Sequence, residues 1–426
     1  MLGLYTDNCK IFQGISPMFL GSFADQAGRR PVYIICFVIY IASNIGLALQ
    51  DSYAALIVLR CLQSAGISSS VALSAATVAD IATKEERGSF MGFVMAGSFM
   101  GPAVGPIIGG LLAQYLGWRS IFWFLTIASG VFFLPLLFFM PETARNVVGD
   151  GSGPAQSWNR PFIQYLTCCG NRGKAESASS DSDRPSSSDS IQKPHQKLTF
   201  PNPLKPLILV FHRNSMIVLF VTGVIMGGNM TVLSSITGIY STLYGFDVLE
   251  IGLCYITIGT GSMVASILTG RMLDWNYKRL AAKLAPDNSF EARDSSVPVE
   301  KARSQILIPL TALGGVMVLA FGWVLNYGLH LAAPEIFMFF VGLGLTGGFI
   351  CASTLLVDLH TGRPAAATAA NNLVRSLFSA AASAAIDPML KACGRGWAFT
   401  IVAFILLATI PFLVILGRLR RPAGPA

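Results

Sequence analysis

Two arginines lie inside long apolar runs: Arg60 in Leu59–Arg60–Cys61–Leu62–Gln63–Ser64, and Arg375 in Asn371–Asn372–Leu373–Val374–Arg375. An arginine at the middle of a helix in hydrocarbon costs roughly 2.5–3.5 kcal/mol on insertion scales, so it is expected to serve an ion, proton or substrate path. Asn371 and Arg375 are one helical turn apart and share a face. Gln63 and Ser64 extend the polar lining beside Arg60, and Asn229 adds an amide to another apolar run. Guanidiniums and amides in such places suit an anionic or neutral small molecule. Each also has a plainer reading, as an arginine paired within a helical bundle or an amide bonding between helices. Asn229–Met230–Thr231 matches the glycosylation sequon but lies within an apolar run and is set aside. No nucleophile–base set, catalytic carboxylate pair or phosphate loop is present, so no enzyme is expected. Gly342–Leu343–Gly344–Leu345–Thr346–Gly347 matches the dinucleotide fingerprint without the strand that fingerprint needs, and is read as helix packing.

A second set of charges punctuates the ends of apolar runs. Gly21-x-x-x-Asp25-x-x-x-Arg29–Arg30 is repeated as Gly270-x-x-x-Asp274-x-x-x-Lys278–Arg279. Asp80 ends a run before Arg87, and Asp358 ends a run before Arg363. A pattern that returns in the second half implies two related halves, the build of secondary transporters.

The elements that carry these residues are membrane-spanning helices. The chain of 426 residues is 53% hydrophobic and only 12% charged, with a mean hydropathy of +0.59. A soluble domain carries about 25% charged residues. A span needs about 20 mainly apolar residues, and eleven stretches qualify: 8–24, 31–50, 54–80, 88–115, 119–140, 213–243, 249–272, 305–327, 333–357, 365–390 and 397–417. The fold class expected is an all-α polytopic membrane protein of two pseudo-symmetric helical bundles. The first bundle covers 1–140, a linker 141–212, the second bundle 213–418 and a tail 419–426.

Of 30 Lys and Arg, 24 fall on one set of loops and four on the other (Lys10, Arg119, Lys391, Arg395), with Arg60 and Arg375 inside spans. The positive-inside rule then places the linker and C-terminus in the cytosol and Met1 outside. The net charge of +8 is spent on orientation and calls for no nucleic acid. The Ser-, Asp-, Gly- and Pro-rich region 150–205 reads as a disordered cytosolic linker. Cysteines show no metal-ligand spacing and read as small buried hydrophobes; Cys168–Cys169, in a polar setting, is an exposed pair or an acylation site. The run Gly97-x-x-x-Gly101–Pro102-x-x-Gly105–Pro106-x-x-Gly109–Gly110 places small residues where two helix backbones could approach closely, and prolines where a helix could bend.

These residues together resemble the major facilitator superfamily, and within it the fungal drug:proton antiporters of twelve-span type. Gly21–Ser22–Phe23–Ala24–Asp25–Gln26–Ala27–Gly28–Arg29–Arg30 is similar to the superfamily's signature between its second and third helices. Leu59–Arg60 with Gln63 and Gly66 resembles the fourth-helix motif, and the glycine–proline run resembles the fifth-helix antiporter motif. Gly117–Trp118–Arg119, Trp123, Pro141–Glu142–Thr143, Tyr244–Gly245–Phe246 and Leu273–Asp274–Trp275–Asn276–Tyr277 look like the same group.

The resemblance implies a major facilitator fold and a transporter in which Arg60 couples to protons and a cavity forms between the halves. Asp25, Arg29, Arg30 and Asp80, with Asp274, Lys278 and Asp358, would latch the halves at the cytosolic end. Gln63, Asn229, Asn371 and Arg375 would line the cavity. It implies no cofactor beyond a proton gradient. The partners would be a small-molecule substrate, protons and the bilayer, with the chain a monomer in the plasma or vacuolar membrane. The family's first helix is expected to be absent, since the likeness starts at the second. Export of a small organic acid, secondary metabolite or drug-like compound is the leading expectation. A nutrient importer of the same fold and a non-transporting membrane protein are the alternatives.

Overall fold

The computed structural model describes residues 2–83, 86–144, 213–284, 299–360 and 364–418. Within these it is helical throughout: α1 (Leu2–Ala27), α2 (Arg29–Leu49), α3 (Tyr53–Ile81), α4 (Arg87–Leu116), α5 (Arg119–Phe139), α6 (Arg213–Leu243), α7 (Val248–Leu284), α8 (Val299–Tyr327), α9 (Ala332–Leu359), α10 (Pro364–Leu407) and α11 (Ile410–Arg418). Eight helices among the described residues are long and apolar enough to cross a membrane. Inside a bilayer each backbone N–H and C=O must be satisfied within its own segment, so these runs form helices.

Several helices differ from the spans expected. α1 continues through Asp7 and Lys10, because charges limit how much of a helix sits in hydrocarbon without limiting the helix. α7 runs beyond residue 272 to Leu284, so the second charge signal is helical instead of lying in a turn. Its last turns are held by Tyr277 and Ala281 packing on Ala302 of α8. Between α1 and α2 the break is one residue long: Gly28, at φ 107°, adopts a conformation that a side chain disfavours. The two final spans join as α10, which turns at Gly394 (φ 77°). The last helix is interrupted at Ala408–Thr409, because Pro411 has no N–H to bond the Leu407 carbonyl.

α1–α5 form one half and α6–α11 the other. Within the halves α2 packs on α3 and α5, and α8 and α9 on each other. The halves meet along two seams, α1 with α10 and α4 with α7. The second seam is close: a Cβ on Gly270 would lie 2.7 Å from the Gly88 carbonyl oxygen, and one on Gly92 would collide with the Ser266 carbonyl. Residues 145–212 of the expected linker, including Cys168–Cys169, and the tail lie outside the described residues. Pro141–Ala144 are described, and Glu142 is buried rather than part of a loose linker.

Candidate functional site: an interbundle cavity above a charged latch

The basic end of the molecule holds two charged clusters. In the first half Arg29 is buried and donates from Nε to Asp80 Oδ2 at 3.0 Å. Glu142 accepts from the backbone N–H groups of Arg29 (2.7 Å) and Arg30 (3.2 Å), donors of the first turn of α2 that have no partner within the helix. A carboxylate there satisfies orphan donors and meets the positive end of the helix dipole. Arg30 Nη2 donates to the Leu137 carbonyl near the end of α5 at 2.9 Å. These contacts tie α2, α3 and α5 together inside the first half. Asp25 lies on α1, but its side chain is outside the described residues.

The second cluster does join the halves. Asp274 of α7 accepts from the N–H groups of Gly88 (2.9 Å) and Ser89 (2.8 Å), and from the Ser89 hydroxyl, at the first turn of α4. Asp358, at the end of α9, accepts from Arg87 Nη1 of α4 at 2.6 Å and from Arg303 Nε of α8 at 3.1 Å. Arg87 Nη2 also donates to the Ala79 carbonyl of α3 at 3.2 Å. Lys278 is exposed. The sequence pointed to Asp274 and Asp358, quoted Glu142 only within a family-like motif, gave Arg87 a supporting place and did not mark Arg303.

Next to the latch the halves are sealed by Ala75, Met91, Phe349, Leu356 and Val357, all buried. A void of about 10 Å³ there is bordered by Asn371 and Asn372. Asn371 Nδ2 donates to Ser353 Oγ at 3.1 Å. On the side of this layer away from the latch lies a cavity of about 420 Å³, shared by α1, α3, α4, α6, α7, α9 and α10. Gln13, Ser68, Ser98, Asn229, Ser262 and Arg375 are its polar lining. The Arg375 guanidinium lies 5.7 Å from the centroid of the Phe349 ring, a cation–π distance.

The structure therefore divides the expected cavity residues. Asn229 and Arg375 line the cavity. Asn371 faces the sealed layer. Arg60 and Gln63 are turned into the first half: Arg60 Nη1 donates to Gln63 Oε1 (3.1 Å), and Gln63 Nε2 donates to Asn44 Oδ1 (2.7 Å). The Arg60 guanidinium sits 4.7 Å from the Phe122 centroid. The glycine run of α4 also departs from expectation as a close helix–helix seam. A Cβ at Gly97, Gly101, Gly105, Gly109 or Gly110 would meet nothing within 4 Å. Pro102 and Pro106 lie on the same continuous helix. The close approach of α4 happens one to three turns earlier, at Gly88 and Gly92.

Two helical halves around a cavity, with charged signals at one end, are the architecture of the major facilitator fold. Residues 10–383 match the Major Facilitator Superfamily, and the chain belongs to it. It is 42% identical over 406 residues to the MFS-type transporter phiD of Fungal sp. (strain ATCC 74256), covering 95% of this chain and 60% of that protein's length. It is 39% identical to phiL of the same source, across 95% of this chain and 96% of phiL. It is 34% identical to Citrate exporter 1 of Aspergillus niger, covering 96% of this chain and 76% of that protein. The fold is that of the human organic anion transporter MFSD10, with a TM-score of 0.64 at 18% identity, covering 96% of this chain and 83% of that one.

Proposed function

We propose that the chain is a proton-coupled exporter of a small organic acid, secondary metabolite or drug-like compound, acting as a monomer in the plasma membrane. The observation that carries this reading is a cavity between the two halves that bears a guanidinium and is sealed at the end where Arg87 meets Asp358. Such a cavity can be offered to each side in turn as the halves rock. Breaking the contacts of Asp274 and Asp358 with α4 would free the basic end to open. The relative named as a citrate exporter supports an acid as cargo. Proton coupling rests on the resemblance to drug:proton antiporters.

The test is transport by the full chain in proteoliposomes. With an imposed pH gradient, an accepted labelled acid should move against the protons and stop when the gradient is collapsed by an ionophore. Gradient-independent movement would remove the coupling. Uptake of labelled sugar without any acid transport would favour the importer reading.

A further inference from the structure

Arg375 is the charged residue among the described lining of the cavity, and no hydrogen bond or ion pair joins it to another described residue. No acidic side chain from α1, α3, α4, α6, α7 or α9 faces it in that lining. Asn229 is 4% exposed, and its Oδ1 is buried with no hydrogen-bond donor. Beside the neutral Gln13, Ser68, Ser98 and Ser262, the rest of the wall is largely apolar and soft: Met95, Met226, Met230, Leu233, Ile258 and Phe349. Methionines adapt to irregular shapes and favour aromatic contacts. A volume of about 420 Å³ falls in the range of drug-sized sites.

We infer that the cargo is an amphipathic organic monoanion: one carboxylate for Arg375, a hydroxyl or N–H donor for Asn229 Oδ1, and an apolar or aromatic body for the methionine wall. This rests on the reading of the cavity as the transport site. The charge count decides between monoanion and polyanion. One guanidinium balances one carboxylate, and a second or third carboxylate would be desolvated in this cavity without a cation, which is strongly unfavourable. A neutral ligand would leave the guanidinium uncompensated. The cavity therefore disfavours a tricarboxylate of the citrate kind, although one relative bears that name.

The experiment is equilibrium dialysis of the purified full chain in nanodiscs against labelled phenyllactate, with empty nanodiscs as blank. Phenyllactate carries one carboxylate, one hydroxyl and an aromatic ring. It should bind saturably. Citrate at 100-fold excess should leave binding intact, and the uncharged diol analogue should bind at least tenfold more weakly. Arg375→Gln should weaken binding at least tenfold and Arg375→Lys should restore part of it. Asn229→Leu should weaken phenyllactate more than 3-phenylpropionate, which lacks the hydroxyl; this comparison keeps the inference testable if Arg375→Gln fails to fold. Failure of phenyllactate to bind, equal competition by citrate, or unchanged affinity in Arg375→Gln would overturn it. Phenyllactate binding with no transport would instead fault the exporter reading and leave the monoanion as the ligand of this cavity but not as cargo.

Discussion

Asp358 of α9 and Arg87 of α4, 271 positions apart in the chain, meet at 2.6 Å across the seam between the two halves. Arg303 holds the second carboxylate oxygen. Two arginines and one aspartate are thus buried together, with one carboxylate oxygen on each guanidinium. Neutralising Asp358 breaks both buried ion pairs at once. Asp358→Asn should lower the unfolding midpoint more than Arg87→Gln, which leaves the Asp358–Arg303 pair in place. Breaking a buried pair costs about 3–5 kcal/mol. Differential scanning fluorimetry of both variants checks the order; equal midpoints would contradict it.

Glu142 lies in a segment that composition assigns to the linker, yet it caps α2 through the N–H groups of Arg29 and Arg30. Glu142→Ala leaves those donors buried without an acceptor and should destabilise by about 1–3 kcal/mol. Glu142→Gln keeps a neutral acceptor and should lose less. Thermal unfolding of the two variants measures the difference, and equal losses would mean that the charge at the helix end contributes nothing.

The glycines of α4 should divide into two groups. At Gly92 a side chain would strike the Ser266 carbonyl, so Gly92→Val should push α4 from α7 and abolish transport. At Gly101 a side chain meets open space in this conformation, so Gly101→Ala should leave thermal stability within about 0.5 kcal/mol of the parent. If Gly101→Ala transport is lost while stability is kept, the glycine serves another conformation of the cycle. A large loss of stability would place a neighbour there that this arrangement lacks.

Arg60 should behave differently from Arg375. Its guanidinium lies on Phe122 and bonds Gln63 inside the first half. Arg60→Gln should therefore leave ligand affinity within threefold of the parent, while lowering transport if the expected role in proton coupling holds. Binding and transport measured on the same preparation separate the two effects. A tenfold loss of affinity would put Arg60 in the binding site.

The sequence carried the helices and the repeated signals plainly, because apolar runs of span length and charges at their ends are local features. Side-chain direction was less legible. Arg60 and Arg375 look alike in sequence, each an arginine in an apolar run, but one turns into its own half and the other into the cavity. That choice is set by the rotation of each helix against its neighbours. Glu142 and Arg303 act on partners 113 and 55 positions away; the motif Pro141–Glu142–Thr143 is visible in the sequence, but its contact with the start of α2 is not, and nothing local marks Arg303. The glycine run of α4 signalled close packing, but the contact lies at Gly88 and Gly92, where α7 crosses.

In the proposed cycle, the contacts of Asp274 and Asp358 with α4 hold one end state. Glu86 and Lys278 are exposed and lie on opposite halves beside these contacts. Spin labels at these two positions, measured by double electron–electron resonance in nanodiscs, report directly whether that end opens. A dominant short distance is expected in the parent, with a second, longer distance that gains population in Asp358→Asn. A single distance, unchanged between the two proteins, would contradict it.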